Sequence, residues 1–294
     1  MTAVPAPVER PRTRKPVDWW RWAGRLFLLF LLLFTVLPMF WMVLTSVKTQ
    51  FAALQYPPQW WPSEPTLENY RKLLDPSNSV GAEFLNYFWN SFKVSFATTV
   101  LGVAVAVPAA YAFSRFRFPG RTFLFFGVLL RNMFPAVIFL TPLFILMRWM
   151  GLVNSHWSLI ITYLTFGLPL SIWLLKGFFD NIPVQLEQAA RIDGATRFQA
   201  FLLIVMPLST PGIIATAIFS FIGAWNEYVY ALTFLSRQEQ MTLPVGVQRF
   251  FSEFATDWPG VMAATFLMSV PVVVLFLVLQ KYFVRALTEG AVKH

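Results

Sequence analysis

Few residues in this chain have side chains and spacings suited to chemistry, and they fall into two groups. The first consists of ionisable or aromatic residues inside or at the ends of long apolar segments: Arg131, and the run Trp225-Asn226-Glu227-Tyr228. A charge at membrane depth is costly and faces a cavity, a partner or a helix end. These five residues are the candidates for a polar path through an apolar body. The competing reading makes Arg131 and Glu227 a structural pair or a helix-end contact, and the aromatics part of an interfacial belt. The second group is the polar stretch Glu187-Gln188-Ala189-Ala190-Arg191-Ile192-Asp193-Gly194-Ala195, followed by Pro207. Its chemistry is that of recognition rather than catalysis.

Several reaction classes are excluded. Cysteine is absent, so there is neither a disulfide framework nor a thiolate metal site. The two histidines, His156 and His294, are far apart. The Gly-x-x-x-x-Gly-Lys-Ser/Thr loop that cradles nucleotide phosphates does not occur. Lys48 is the only lysine followed by Ser or Thr, and valine precedes it. Nothing in the chain binds ATP, magnesium or another cofactor by motif.

Those residues must be positioned by membrane helices. The chain is 57% hydrophobic and 13% charged, where a soluble domain carries about 25% charged residues. The apolar residues come in runs long enough to cross roughly 30 Å of hydrocarbon. The pattern predicts six spans, at about 26–47, 90–114, 122–147, 158–178, 211–235 and 261–284, in a membrane domain covering 22–294. Residues 1–21, rich in Pro, Arg and Lys, read as a disordered arm. Prolines 108, 135, 142, 169 and 271 fall within spans, where they kink helices that neighbours re-satisfy.

The formal charge of +9 is distributed by side. Fifteen Lys/Arg flank the loops on the side of the N-terminus and six those on the other, with only Lys93 and Arg131 inside spans. This asymmetry predicts that both termini are cytoplasmic, and it argues against nucleic acid as the partner.

The polar stretch then lies on the cytoplasmic side, between the fourth and fifth spans. Asp180 or Asn181 is placed to cap a helix, with Pro183 in its first turn. Gly194 suits the left-handed position that ends it, and Thr196 can cap a second helix that Pro207 and Pro211 limit. The two helices span about 182–206. The adjacent small residues Ala189 and Ala190 let another surface approach closely, whereas a membrane-anchoring helix would carry Leu or Phe there. A docking helix is therefore favoured over a merely solvated one.

These residues resemble the Glu-Ala-Ala-x-x-x-Gly cytoplasmic motif of permease subunits of binding-protein-dependent ABC importers. The string from Ala189 to Ala195, continued by Val205-Met206-Pro207-Leu208, is similar to the carbohydrate branch, and in particular to its maltose-transporter-like six-span subunit. Gly223-Ala224-Trp225-Asn226-Glu227-Tyr228, Thr242-Leu243-Pro244-Val245-Gly246, and Gln280 to Arg285 with Leu287 to Lys293 agree with it in order. The resemblance covers nearly all of the chain beyond about residue 22. It implies an all-α, polytopic permease of the type I importer kind in a prokaryotic inner membrane. It also implies four kinds of partner: a second permease subunit forming a heterodimer, an ATPase dimer that holds the ATP and magnesium, an extracytoplasmic sugar-binding protein, and the lipid bilayer. It assigns ATPase coupling to Glu187, Gln188, Ala189, Ala190, Asp193, Gly194 and Pro207. Leu243, Pro244 and Gly246, in the outer loop, are candidates for meeting the binding protein, against the reading of an ordinary turn. The tail 288–293 is placed to reach between the ATPase subunits.

One position departs from the family. Its glutamate falls on Gln188, and Glu187 lies one place earlier, about 100° around the helix. Gln188 keeps a hydrogen bond to a basic residue of the ATPase but not the charge assistance. The alternative function is a stand-alone ion-coupled transporter, which would want several buried carboxylates where this chain offers Glu227.

Overall fold

The computed structural model describes residues 19–248 and 256–291, with side chains of the last helix as far as Lys281. In chain order the helices are α1 (Trp19–Ser46), α2 (Gln50–Leu54), α3 (Glu68–Leu74), α4 (Ser79–Arg115), α5 (Arg121–Leu130), α6 (Leu140–Trp149) and α7 (His156–Asn181). They continue as α8 (Val184–Ile192), α9 (Arg197–Ala200), α10 (Met206–Leu208), α11 (Thr210–Trp225), α12 (Val229–Phe234), α13 (Leu243–Val247) and α14 (Trp258–Ala291). The described residues contain no strand.

Four helices, α1, α4, α7 and α14, are long and apolar enough to cross a membrane without interruption. Two further crossings are broken. Arg121–Met133 and Ala136–Trp149 meet at 96°, and Arg197–Leu208 and Thr210–Trp225 meet at 72°. Six spans result if each bent pair counts as one. The 72° bend falls at the limit that Pro207 and Pro211 set for the second short helix, whereas the expected third span (122–147) and fifth span (211–235) are each interrupted within their length. Pro135 sits in the first break, where it has no N–H to donate and disfavours a helical residue before it. The segment 211–235 stops at Trp225 and restarts at Val229, with Asn226, Glu227 and Tyr228 between. By contrast, Pro108, Pro169 and Pro271 lie inside unbroken helices. Of the expected arm, residues 1–18 lie outside the described residues, and Trp19 already begins α1.

α4 and α7 form the central scaffold, with α11 alongside α4 and α14 against α11 and α1. In the contact of α4 with α7, the small residues Ala106 and Ala110 of α4 are fully buried in one cluster with the large Leu175 and Phe179 of α7. Close approach of helix backbones is how spans associate where lipid removes the hydrophobic drive. A second cluster packs Phe84 and Tyr87 of α4 with Phe221 and Trp225 of α11 and Ala263 and Ala264 of α14. α1 keeps Leu and Phe exposed along its apolar stretch, as a helix facing lipid does.

The loop after α12 is pinned by side chains of α4. Asn90 donates to the carbonyls of Glu239 and Met241 at 2.8 and 3.0 Å. The Leu243 amide donates to Ser91 Oγ at 2.7 Å.

Candidate docking surface and a cavity between broken spans

The polar stretch folds as two short helices joined by a tight turn. Gly194 has φ +95°. The Ala195 amide reaches Ala190 O at 3.0 Å and the Gly194 amide reaches Arg191 O at 3.2 Å, which is a Schellman end for α8. Thr196 then opens α9 with a reciprocal capping box: the Gln199 amide donates to Thr196 Oγ1 and the Thr196 amide to Gln199 Oε1. At the other end of α8 the expectation fails. α7 runs through Asn181, and the residue before α8 is Pro183 with no side-chain cap. Asp180 accepts instead from Lys176 Nζ at 2.5 Å and Ser114 Oγ at 2.6 Å.

Glu187 is the inward face of α8. Its Oε1 accepts from Arg115 Nε at 2.5 Å and its Oε2 from the Tyr111 hydroxyl at 2.7 Å. Arg115 also donates to Ile182 O at 2.9 Å and to Ser114 Oγ at 3.2 Å. The two charged side chains expose only 9% and 10% of their surface. Among the coupling candidates, Glu187 is thus turned toward its own chain and holds α8 to the end of α4. Gln188, Ala189, Asp193 and Gly194 are exposed and Ala190 half-buried. Ile192 and Phe198 are 86% and 68% exposed. Pro207 lies in α10, just before the 72° bend into α11. α8 therefore presents a mixed polar and apolar outer surface from a base fixed by a buried ion pair. Arg115 and Tyr111 carried no functional signal in the sequence beyond one positive charge at a span end.

The second site lies where the two breaks meet. A cavity of about 290 Å³ is bounded by Thr98 of α4, by Tyr163 and Phe166 of α7, by Gly223 of α11, by Ala136 and Glu227 from the breaks, and by Tyr230 of α12. The Tyr230 hydroxyl donates to Ala136 O at 2.6 Å and ties one break to the other. Irregular backbone at membrane depth is tolerated where it lines such a cavity or is buried in protein.

Glu227 accepts three bonds there: from Tyr163 Oη at 2.6 Å, from the Tyr230 amide at 2.8 Å and from the Ala231 amide at 3.1 Å. The two amides open α12, so the carboxylate satisfies groups a helix start leaves free. Arg131 stacks over the Phe166 ring at 3.5 Å from its centroid and donates to Asn132 Oδ1 at 3.0 Å. It forms no ion pair with Glu227, so of the two forms of the competing reading the pair is absent and the helix-end contact is what Glu227 makes.

The remaining candidates separate. Trp225 is fully buried, stacks on Phe221 at 5.6 Å, and donates from Nε1 to Met268 O at 3.1 Å. It is a core residue between α11 and α14, not part of the cavity wall. Asn226 bonds back to Ile222 O at 3.1 Å, and the Tyr228 hydroxyl donates to Gln248 Oε1. Leu243 and Gly246 are buried, and a Cβ on Gly246 would lie 2.2 Å from the Tyr87 ring. Both residues pack against the interior of their own chain rather than standing out from the loop. Pro244 is half-buried, and the exposed side chains nearby are Ser236, Arg237, Glu239 and Gln248.

Comparison with known proteins decides the family. The binding-protein-dependent transport system inner membrane component family matches residues 98–289, from α4 into α14. The chain belongs to this family. The permease is 38% identical over 256 residues to the sulfoquinovosyl glycerol transport system permease protein of Agrobacterium fabrum, covering 87% of this chain and 88% of the relative. It is 37% identical over 262 residues to the trehalose transport system permease protein of Mycobacterium tuberculosis, covering 88% and 93%. The same identity over 258 residues relates it to the trehalose/maltose transport system permease protein of Thermococcus litoralis, covering 87% and 91%. Its fold is shared with a chain in the crystal structure of a bacterial ABC transporter involved in import of the acidic polysaccharide alginate. The TM-score is 0.79 at 23% identity, covering 93% of the permease and 100% of that chain. The permease is thus an all-α, multi-pass membrane protein.

Proposed function

We propose that this chain is one permease subunit of an ATP-driven importer of disaccharides or oligosaccharides. It forms half of the translocation path with a second, different permease subunit. An ATPase dimer hydrolyses the nucleotide and docks on α8 and α9, and an extracytoplasmic binding protein delivers the sugar. The relatives named for trehalose, maltose and sulfoquinovosyl glycerol support a glycoside substrate. The charge asymmetry of the loops supports cytoplasmic termini.

The observation that carries the coupling role is the attachment of α8. Its outer surface is open to a partner, while Glu187 binds it to Arg115 and Tyr111 at the end of α4. α4 then runs unbroken from Arg115 past Thr98 in the cavity wall, about 25 Å along a helix axis. ATP-driven closure of the ATPase pair moves α8, the buried pair carries that displacement to α4, and α4 shifts the wall of the cavity. Two-state motions of packed helices transmit displacement in this way. Gln188 faces outward beside Glu187 and accepts or donates a hydrogen bond at the docking surface without charge.

The test is reconstitution in vesicles. The complete complex takes up sugar when ATP and loaded binding protein are supplied, and the permease alone does not take it up under an ion gradient. Gradient-driven uptake by the isolated permease would instead identify a secondary transporter.

A further inference from the structure

Beside the coupling helices lie two adjoining cavities of different character. The first, about 180 Å³, is bounded by Arg115, Arg191 and Arg197 with Glu187 and Gln188. The second, about 310 Å³, is bounded by Pro108, Phe198 and Phe201. Tyr111, Phe116 and Arg197 border both. The cationic end is not neutralised by the protein. Arg115 spends its donors on Glu187, Ile182 and Ser114. Arg191 and Arg197 form no ion pair among the described residues, and Arg197 lies over the Phe116 ring at 5.8 Å from its centroid. The apolar end follows α4 from Phe116 back to Pro108, about 12 Å along the helix axis toward the membrane interior.

We infer that this pair of cavities binds an anionic phospholipid of the cytoplasmic leaflet, with its headgroup at Arg191 and Arg197 and an acyl chain along Pro108, Phe198 and Phe201. The match is of charge and of shape. A phosphodiester accepts hydrogen bonds from two guanidinium forks. The groove continuing from it is lined by rings and a proline and suits hydrocarbon. A soluble anion would use the first cavity and leave the second empty, and a zwitterionic lipid would bring its own cation against two arginines. Basic pockets between helices on the cytoplasmic side are where anionic headgroups bind. The bound lipid would touch both α4 and α9, so it would brace the coupling helices against the bundle. The inference rests on the cytoplasmic placement of this end and not on the identity of the sugar.

The experiment uses the assembled complex with its ATPase and second permease subunit. Spin-labelled phosphatidylglycerol and phosphatidylcholine are exchanged against it, and the selectivity ratio is compared between wild type, Arg197→Gln, Arg197→Lys and Arg237→Gln. Wild type prefers phosphatidylglycerol. Arg197→Gln lowers that preference about fivefold, the size of one arginine at a charged surface, while Arg197→Lys retains most of it and Arg237→Gln, in the outer loop, retains all. Inorganic phosphate at equal concentration fails to displace the lipid. An equal ratio for Arg197→Gln and wild type would overturn the inference, as it would if a carboxylate of the ATPase filled the cavity. Displacement by phosphate would also overturn it, identifying an ion site instead. Loss of ATP-driven uptake in every vesicle, with lipid selectivity intact, would count against the importer reading alone.

Discussion

Arg115 at the end of α4 and Glu187 in the middle of α8 form a buried ion pair at 2.5 Å, and a second donor, Tyr111, closes the carboxylate from the same helix. One residue further along α8, Gln188 faces outward. The 100° step between neighbours on a helix separates an internal anchor from an external contact.

Breaking that anchor has a cost set by burial. Truncating one partner strands a charge and costs about 3–5 kcal/mol, whereas removing both costs less. Glu187→Ala and Arg115→Ala each lower sugar-stimulated ATPase activity and uptake severalfold, and the double variant is no worse than either. A double-mutant cycle on uptake and on thermal stability measures this. Additive effects would show that the two residues act separately.

Gly194→Val places a β-branched residue at φ +95°. The left-handed region costs an ordinary residue about 1–2 kcal/mol, so the turn between α8 and α9 shifts. The variant inserts into the membrane in normal amount but recovers less ATPase subunit on co-purification and takes up less sugar. Co-purification equal to wild type would remove Gly194 from the docking geometry.

Gln188→Glu adds a charge on the exposed surface without disturbing Glu187. ATPase binding by the variant strengthens at low salt, and the gain declines as ionic strength rises, because an exposed pair is screened within about 8 Å at physiological salt. Binding assays across a salt series read this directly. A gain independent of salt would mean that no cation of the ATPase faces position 188.

Glu227→Ala leaves the Tyr163 hydroxyl and the Tyr230 and Ala231 amides without their acceptor. Hydrogen bonds to a charged group contribute about 1.5–3 kcal/mol each, and unmet buried donors add to the loss. The detergent-solubilised protein melts several degrees lower. Glu227→Gln, which keeps the acceptor oxygen but not the charge, recovers part of the loss. If both variants melt like wild type, Glu227 is not what holds α12.

The membrane class, the four unbroken helices, the pair of short polar helices and the left-handed glycine were legible because each depends on neighbours in sequence. Runs of apolar residues set spans, and glycine and threonine set a helix end and a cap. The breaks were less legible. Pro135 and Pro142 look alike in a hydrophobic run, yet Pro135 lies in a break and Pro142 in the first turns of α6. Asn226-Glu227-Tyr228 gave no stop signal, because what interrupts the helix there is a carboxylate folding back on the amides of α12.

The sequence by itself determined a membrane chain with a capped polar stretch between two apolar segments, since composition, periodicity and local capping suffice for that; the permease family rested on the resemblance of its motifs. Only the tertiary structure decided which faces the side chains take. It turned Glu187 inward, buried Trp225, Leu243 and Gly246, and joined two broken spans through Tyr230 and Ala136. The physical reason is distance along the chain. Glu187 meets a charge 72 residues away, and Tyr230 meets a carbonyl 94 residues away. No local pattern encodes such pairings; they follow from how the helices pack.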